Sequence, residues 1–457
     1  MTQPIATHPA GRQMLLNAFD MACVGHIQQG MWRHPRDRSA DYSRLDHWTD
    51  LARLLERGLF DGLFLADVLG IYDVYGGSQD AALRGAVQVP LIDPLMLVPA
   101  MAAVTSHLGF GVTCNLAYEP PYLFARRMST LDHLTRGRVG WNIVTGYLDS
   151  AARALGHDAQ MRHDDRYDLA DEYMQAVYAL WEGSWAEDAV KRDRHSGVYT
   201  DASRVRRIRH DGPQYRIDAI HLAEPSPQRT PVLYQAGASE RGRRFAGTHA
   251  ECVFVNGTNP AVVARLVAQL RAAAVPRPIL VFAGATVVVG RTEAEARDKL
   301  NDYASWASAE GALAHASASL GIDLQKFGMD EPVRAGESQA IRSNVEAMAR
   351  VAGPDWTPRM LLAQSVLGSR QPPIVGDPVQ VADALAGWMR EAGVDGFNLS
   401  RTVMPECLED FIDLVVPVLQ ERGLYKTGYA PGTYREKLFG NARLLPREHP
   451  AAGHRWA

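Results

Sequence analysis

Four segments of the chain gather side chains that could do chemistry. The first is a pair of short runs, Leu108–Asn115 (LGFGVTCN) and Arg138–Thr145 (RVGWNIVT). Side chains alternate along an extended chain, so Gly109, Gly111, Thr113 and Asn115 share one face, and Arg138, Gly140, Asn142 and Val144 share another. If these faces point inward, each run carries glycine low down and a hydrogen-bonding side chain, Thr113 or Asn142, near the top. The missing side chains would leave space for a planar ligand, which Thr113 and Asn142 would then hold. Alternatively, the glycines relieve crowding and the polar groups bond backbone. The pattern leaves both readings open.

The second segment is QAGASERGRRFAG, residues 235–247. A strand ending at Gly237 and a helix opening near Ser239 would turn first-turn N–H groups and the positive end of the helix dipole toward an anion such as phosphate. Gly237 and Gly242 allow close backbone approach, and Arg241, Arg243 and Arg244 add positive charge. A serine that merely caps a helix is the alternative. The third segment is RHDDRYDLADEY, where His163 and Tyr167 are four residues apart and share a helical face. They could reach a phosphate or a polyol chain. A metal site would need a second His-Asp partner at suitable spacing, and the sequence offers none. The fourth is CVGHIQQGMWRHP, in which His26, Trp32, Arg33 and His34 crowd one loop suited to covering a substrate. Asp67 closes the apolar run LFLAD and would sit at a strand's C-terminal rim.

These residues must be positioned by a repeating scaffold. Eight strand candidates are Met14–Phe19, Gly62–Asp67, Leu108–Asn115, Arg138–Thr145, Pro231–Gly237, Cys252–Gly257, Ile279–Val289 and Gly396–Leu399. Amphipathic segments lie between them, among them Leu45–Gly58, Tyr122–Leu134, His163–Trp181, Pro260–Ala273 and Pro378–Ala392. Alternation of strand and helix implies a parallel sheet, and eight repeats point to an α/β fold of the closed (β/α)8 TIM-barrel type. Active sites of such barrels lie at the C-terminal ends of the strands. Two stretches are too long for ordinary connections, 182–230 and 316–371, and read as insertions covering one barrel face. Residues 1–457 thus read as a single barrel domain with a C-terminal extension from about 425, which could wrap a neighbouring subunit. A lid would come from residues 23–36 and from 316–371.

Bulk properties narrow the class. With 46% hydrophobic and 22% charged residues and a net charge of −4, the 457-residue chain has an ordinary soluble-enzyme composition. No like-charge block suggests a nucleic-acid arm, and Arg204, Arg206, Arg207 and Arg209 read as a solvated loop. The four cysteines, Cys23, Cys114, Cys252 and Cys407, are far apart without CxxC spacing, so neither disulfide framework nor zinc site is expected. With no apolar leader and no long apolar run, a cytoplasmic protein without nucleic-acid or membrane partners is expected.

Several stretches together carry a family resemblance: WRHP (32–35), LERGLFDGLFLAD (55–67), GFGVT (109–113), YLFARRMSTLDHLTRGRVGWNIVT (122–145), HDDRYDLADEYM (163–174), SPQRTPVLYQAGASERGRRFAG (226–247) and VGDPVQVADAL (375–385). They resemble the bacterial luciferase-like flavin monooxygenases, in the branch of the nitrilotriacetate, pristinamycin and dibenzothiophene-sulfone monooxygenases. The resemblance implies a barrel that takes reduced FMN as a co-substrate, supplied by a separate NAD(P)H:flavin reductase, and uses O2 to oxygenate a small organic substrate. It maps flavin contacts onto Asp67 beside the ring and onto His163, Tyr167 and Ser239 at the phosphate end, and an O2-holding pair onto Thr113 and Asn142. The lack of a GxGxxG fingerprint after a strand agrees with nicotinamide chemistry residing in the reductase. The resemblance also implies a homodimer or homotetramer. Gly146 departs from the serine frequent in relatives, putting one flavin or substrate hydrogen bond in doubt.

Within the family, LNAFDMACVGH, ADVLGIYDVYGGS, QVPLIDP and LWEGSWAEDAVKRD are most like the members that oxygenate a methyl thioether such as dimethyl sulfide. A small apolar sulfide needs no charged partner, and Phe19, Met21, Val68, Tyr72 and Tyr75 could line its pocket, with His26 and Trp32 nearby. A tricarboxylate would need cations, for which Arg33 and His34 are the nearest candidates. Sulfone oxygenation, riboflavin cleavage, a deazaflavin-dependent reductase on the same fold and a flavin-binding protein without turnover are the competing readings.

Overall fold

A computed structural model describes residues 13–237, 239–333, 355–364, 367, 372–440 and 443–456. Eight parallel strands close on themselves: β1 (Leu15–Met21), β2 (Gly62–Ala66), β3 (Gly109–Asn115), β4 (Val139–Val144), β5 (Val232–Gln235), β6 (Cys252–Val255), β7 (Leu280–Val289) and β8 (Gly396–Ser400). Each pairs with the next, and β8 returns to β1 with Asn398 opposite Asn17. All eight strands expected from the sequence are present, with ends differing by a residue or two. Each is buried on both faces, which is why these runs read as continuous apolar stretches rather than strict alternation.

The enclosing helices follow from their apolar spacing. In Leu45–Arg57, Trp48, Leu51, Ala52 and Leu55 fall on one stripe and all are buried. Helix Pro378–Ala392 opens with a reciprocal cap between Asp377 and Gln380 and stops at Gly393, whose φ of 69° terminates it.

The barrel interior is filled mainly by aromatic rings. Phe19, Phe64, Tyr234, Phe254 and Phe282 form one buried cluster with Tyr434 and Leu438 from the C-terminal segment. Tyr434 enters from the N-terminal ends of the strands, and its hydroxyl lies 2.6 Å from that of Tyr234. A Cβ on Gly109 or Gly62 would collide with the Tyr434 side chain, and one on Gly140 would come within 3.0 Å of the Tyr234 ring. The strand glycines therefore make room for protein side chains, not for a planar ligand. This corrects the ligand-space reading, because the filling rings come from segments remote in sequence. The C-terminal segment seals its own barrel: Arg435 is fully buried and meets Glu251 with contacts of 2.7 and 3.0 Å.

The 182–230 stretch forms two antiparallel hairpins, Val190–Asp193 with Val198–Thr200 and Ile208–Asp211 with Arg216–Ala219. Its arginines are engaged: Arg204 pairs with Asp188 at 2.7 Å, Arg207 with Asp218 at 3.2 Å, and Arg206 lies over the Trp456 ring. Of the second stretch, helix Ala309–Leu320 runs into its start and helix Pro358–Gln364 lies within it, while 334–354 and several residues of 365–371 lie outside the described residues. Among the described residues no helix is long and apolar enough to cross a membrane.

Candidate active site

At the C-terminal ends of the strands the inward-facing residues turn from aromatic to polar. The β3–β4 register sets Thr113 opposite Asn142, and the Asn142 amide donates a 2.8 Å hydrogen bond to Thr113 Oγ1. Both are buried, at 4% and 5% exposure. The Asn142 carbonyl oxygen is shielded from solvent and accepts no hydrogen bond among the described residues. Leaving such an acceptor unpaired costs about 1–3 kcal/mol, which a ligand N–H or O–H would recover.

A second cluster lies where two helices begin. Ser239 caps helix Glu240–His249, accepting from Gly242 N at 3.1 Å. Its hydroxyl is 3.3 Å from His163 Nε2, on the first residue of helix His163–Tyr178. Asp164 Oδ1 sits 2.6 Å from His163 Nδ1, favouring a proton on that nitrogen and leaving Nε2 to accept from Ser239. Tyr167 stands one turn on, edge-to-face with His163. A Cβ on Gly237 would lie 2.6 Å from the Tyr167 hydroxyl, so a side chain there would displace the phenol from its seat. His163, Tyr167, Gly237 and Ser239 are thus one cluster at two helix N-termini, a geometry suited to an anion. The arginines do not contribute free charge as the sequence suggested. Arg241 is paired with Asp168 at 2.9 Å and Asp171 at 2.6 Å, and Arg244 lies on the exposed side, 3.7 Å from Glu240.

Asp67 follows β2 on the same rim. Burial, reinforced by the nearby Asp93 carboxylate and opposed by the Val68 N–H, pushes its pKa up to about 7. At neutral pH it is therefore divided between donor and acceptor forms.

The loops after β2 and β4 raise an apolar wall above this rim. Tyr72, Val87, Leu148, Ala151 and Ala318 form a buried cluster flanked by Val68, Ile71 and Tyr147. Tyr72 donates to Gln88 Oε1 and its hydroxyl is 2.7 Å from that of Tyr147. The His315 ring lies 5.7 Å from Tyr72. Phe19 and Met21 face the barrel interior, where His26 packs edge-on against Phe19. Trp32 lies exposed, with its indole N–H bonded to Gly85 O at 3.2 Å. Tyr75 packs instead beside Leu313, Leu324 and Trp356. Arg33, itself exposed, donates to Gly30 O and Trp306 O, and the buried His34 ring meets Asp302 at 3.0 Å, so both side chains are engaged by helix Glu293–Trp306. Loop 23–36 is also tied down, with Ser308 N bonded to Gln29 O at 2.9 Å.

The family model described as luciferase-like monooxygenase matches residues 26–396. The chain belongs to the luciferase-like monooxygenases. Against the dimethyl-sulfide monooxygenase of Hyphomicrobium sulfonivorans it is 48% identical over 97% of this chain and 94% of the relative. Against the long-chain alkane monooxygenase of Geobacillus thermodenitrificans (strain NG80-2) it is 49% identical over 97% of this chain and 98% of the relative. A solved riboflavin lyase with modified FMN and riboflavin superimposes with a TM-score of 0.92 at 38% identity, covering 98% of this chain and 100% of the lyase. This luciferase-like chain is accordingly a monooxygenase on a closed eight-stranded barrel.

Sequence reasoning missed Gln88, Tyr147 and His315 as partners of Tyr72. Gln88 lay within the quoted QVPLIDP run, but nothing in the spacing indicated that its amide meets Tyr72. It also missed the role of Gly146, whose φ is +72° and whose Cβ would lie 2.6 Å from Asn115 Nδ2. In this luciferase-like enzyme the left-handed backbone and the close Asn115 amide account for glycine at that position.

Proposed function

We propose that the chain is the oxygenating component of a two-component system, taking reduced FMN from a separate NAD(P)H:flavin reductase and using O2 to oxygenate a small uncharged substrate. Its site fits a flavin: an unpaired, buried Asn142 carbonyl oxygen at the mouth and, at two helix N-termini, the Ser239–His163–Tyr167 cluster for the phosphate. Bound reduced flavin supplies the electrons that activate O2, and the protein's part is to bind, orient and keep water away. Thr113 and Asn142 hold the reacting region in register. Asp67, near half-protonated at neutral pH, exchanges a proton at the ring's edge. The Tyr72–Tyr147–Leu148 wall excludes water on the substrate side. The protein works in the cytoplasm as a homodimer or homotetramer, consistent with a soluble-enzyme composition and the family resemblance.

The observation that carries the substrate class is the diversion of Arg33 and His34. The Arg33 guanidinium and His34 ring, the nearest candidates to receive a tricarboxylate, are bound to Trp306 O and Asp302, while the wall beside Asp67 is apolar with hydroxyl tips. A methyl thioether such as dimethyl sulfide fits that lining, and oxygenation of its methyl carbon yields a thiol and formaldehyde. The test is formaldehyde release from dimethyl sulfide with FMN, NADH, O2 and a generic flavin reductase. Release that requires every component is the expected result. Absence of release, with FMN still bound, sinks the thioether and turns the test to alcohol formation from alkanes and sugar release from riboflavin, the substrate of the lyase neighbour.

A further inference from the structure

The two helices whose N-termini meet at Ser239 and His163 are held together by a network that neither cap explains. Within the first turn of helix Glu240–His249, Arg241 reaches across to Asp168 at 2.9 Å and Asp171 at 2.6 Å. On the way its guanidinium lies 5.4 Å above the Tyr167 ring. At the other end of the same helix His249, 1% exposed, places Nε2 3.0 Å from the second Asp171 oxygen and Nδ1 3.1 Å from the Tyr178 hydroxyl. Both ends of one helix are thus tied to a single carboxylate on its neighbour. The C-terminal segment backs the arrangement, with the His449 ring 2.9 Å from His249 O.

This wiring matters because of what Tyr167 touches. Its hydroxyl stands 2.6 Å and 2.9 Å from where Cβ atoms on Gly237 and Gly242 would lie, so the phenol is seated against the backbone that opens the phosphate cluster. Arg241 covers the ring from the other side. With two carboxylates bound, Arg241 brings no surplus positive charge to a phosphate. Its contribution is geometric, fixing the Tyr167 ring and the spacing between the two helix starts.

We propose that Arg241, keyed by Asp171, is a positioning residue that presets the separation of the Ser239 and His163 helix ends for a flavin phosphate. The inference rests on the reading above that Ser239, His163 and Tyr167 receive that phosphate. A clamp of this kind acts only on the phosphorylated ligand, because the ring-proximal contacts at Thr113 and Asn142 belong to other strands. Preorganised donors gain their effect from being held in place before the ligand arrives.

The experiment compares dissociation constants for FMN and for riboflavin, by titration calorimetry of the full chain and of Arg241→Gln, Arg241→Lys, Asp171→Asn and Ser239→Ala, with thermal unfolding of each. The expected result is an FMN affinity lower by about tenfold in Arg241→Gln and Asp171→Asn, the scale of one charge-assisted hydrogen bond, with riboflavin affinity unchanged. Arg241→Lys, which can hold one carboxylate but not both, recovers part of the loss. Equal loss of FMN and riboflavin, or no loss of either, overturns the clamp. If Ser239→Ala weakens FMN selectively while Arg241→Gln does not, the clamp alone fails. If Ser239→Ala also leaves the FMN-to-riboflavin ratio untouched, the phosphate reading itself fails. Should Asp171→Asn fail to fold, the two Arg241 variants decide the matter.

Discussion

Asn142 donates its side-chain amide to Thr113 across the β3–β4 ladder at 2.8 Å, leaving its own carbonyl oxygen buried without a donor among the described residues. The bond fixes which end of the carboxamide faces the barrel mouth. It also joins two short side chains on neighbouring strands, the most rigid elements of the fold, which is where a reacting group is best held.

If this pair acts on the reaction rather than on affinity, Thr113→Val and Asn142→Ala will lower coupled oxygenation by at least tenfold while changing the FMN dissociation constant by less than about threefold. Product formed per NADH consumed, set beside an FMN titration, checks it. Matching losses in both would reduce the pair to a binding contact.

The Asp67 carboxyl makes a prediction with a definite sign. Its pKa is raised from 3.8 to about 7 by burial and by Asp93. Between those values the folded chain keeps a proton that the unfolded chain has released, so this group's contribution to stability falls as pH rises through the window and is lowest above 7. Asp67→Asn should therefore raise Tm at pH 8, by roughly 1–3 °C for a chain of this size, and give no gain at pH 4. Thermal unfolding at the two pH values is the measurement, and an equal change at both would show that the carboxyl does not titrate as described.

Much of the fold was legible because each strand announces itself locally. VGWNIV and GFGVTCN are apolar, β-branched and bounded by turn residues, and the i, i+4 spacing of His163 and Tyr167 already put them on one face. What was not legible depends on partners far along the chain. The pattern left the glycines at 109 and 140 open between ligand space and relief of crowding, because Tyr434 and Tyr234, which meet across 200 residues, cannot be brought together by spacing alone. Arg33 and His34 looked available because their partners Trp306 and Asp302 lie in another repeat. Arg241 looked like free charge because the carboxylates that bind it belong to a different helix. Periodicity reports which face is buried; it does not report which distant residue covers that face.

The buried pair Arg435–Glu251 supplies a third prediction. Arg435 also donates to Thr230 O at 2.9 Å and Arg443 O at 2.7 Å, and Glu251 accepts from Leu233 N at 3.0 Å. Removing one partner strands the other charge in a dry site, so Arg435→Met or Glu251→Gln should each cost about 3–5 kcal/mol. The double variant should lose clearly less than the sum of the two. Denaturant unfolding of all four proteins checks this; additive losses would show that the two groups are independently solvated.

The placement of Tyr434 and Arg435 has a consequence for how the molecule is made. Every barrel strand precedes residue 401, yet the plug that fills the throat between Gly62 and Gly109, and the cation that neutralises Glu251, come after it. The eight strands can therefore pair in register before the throat is filled and before one interior carboxylate meets its counter-ion. The terminal segment works as a cork: without it the cylinder would be closed by its hydrogen-bond ladder yet open along its axis.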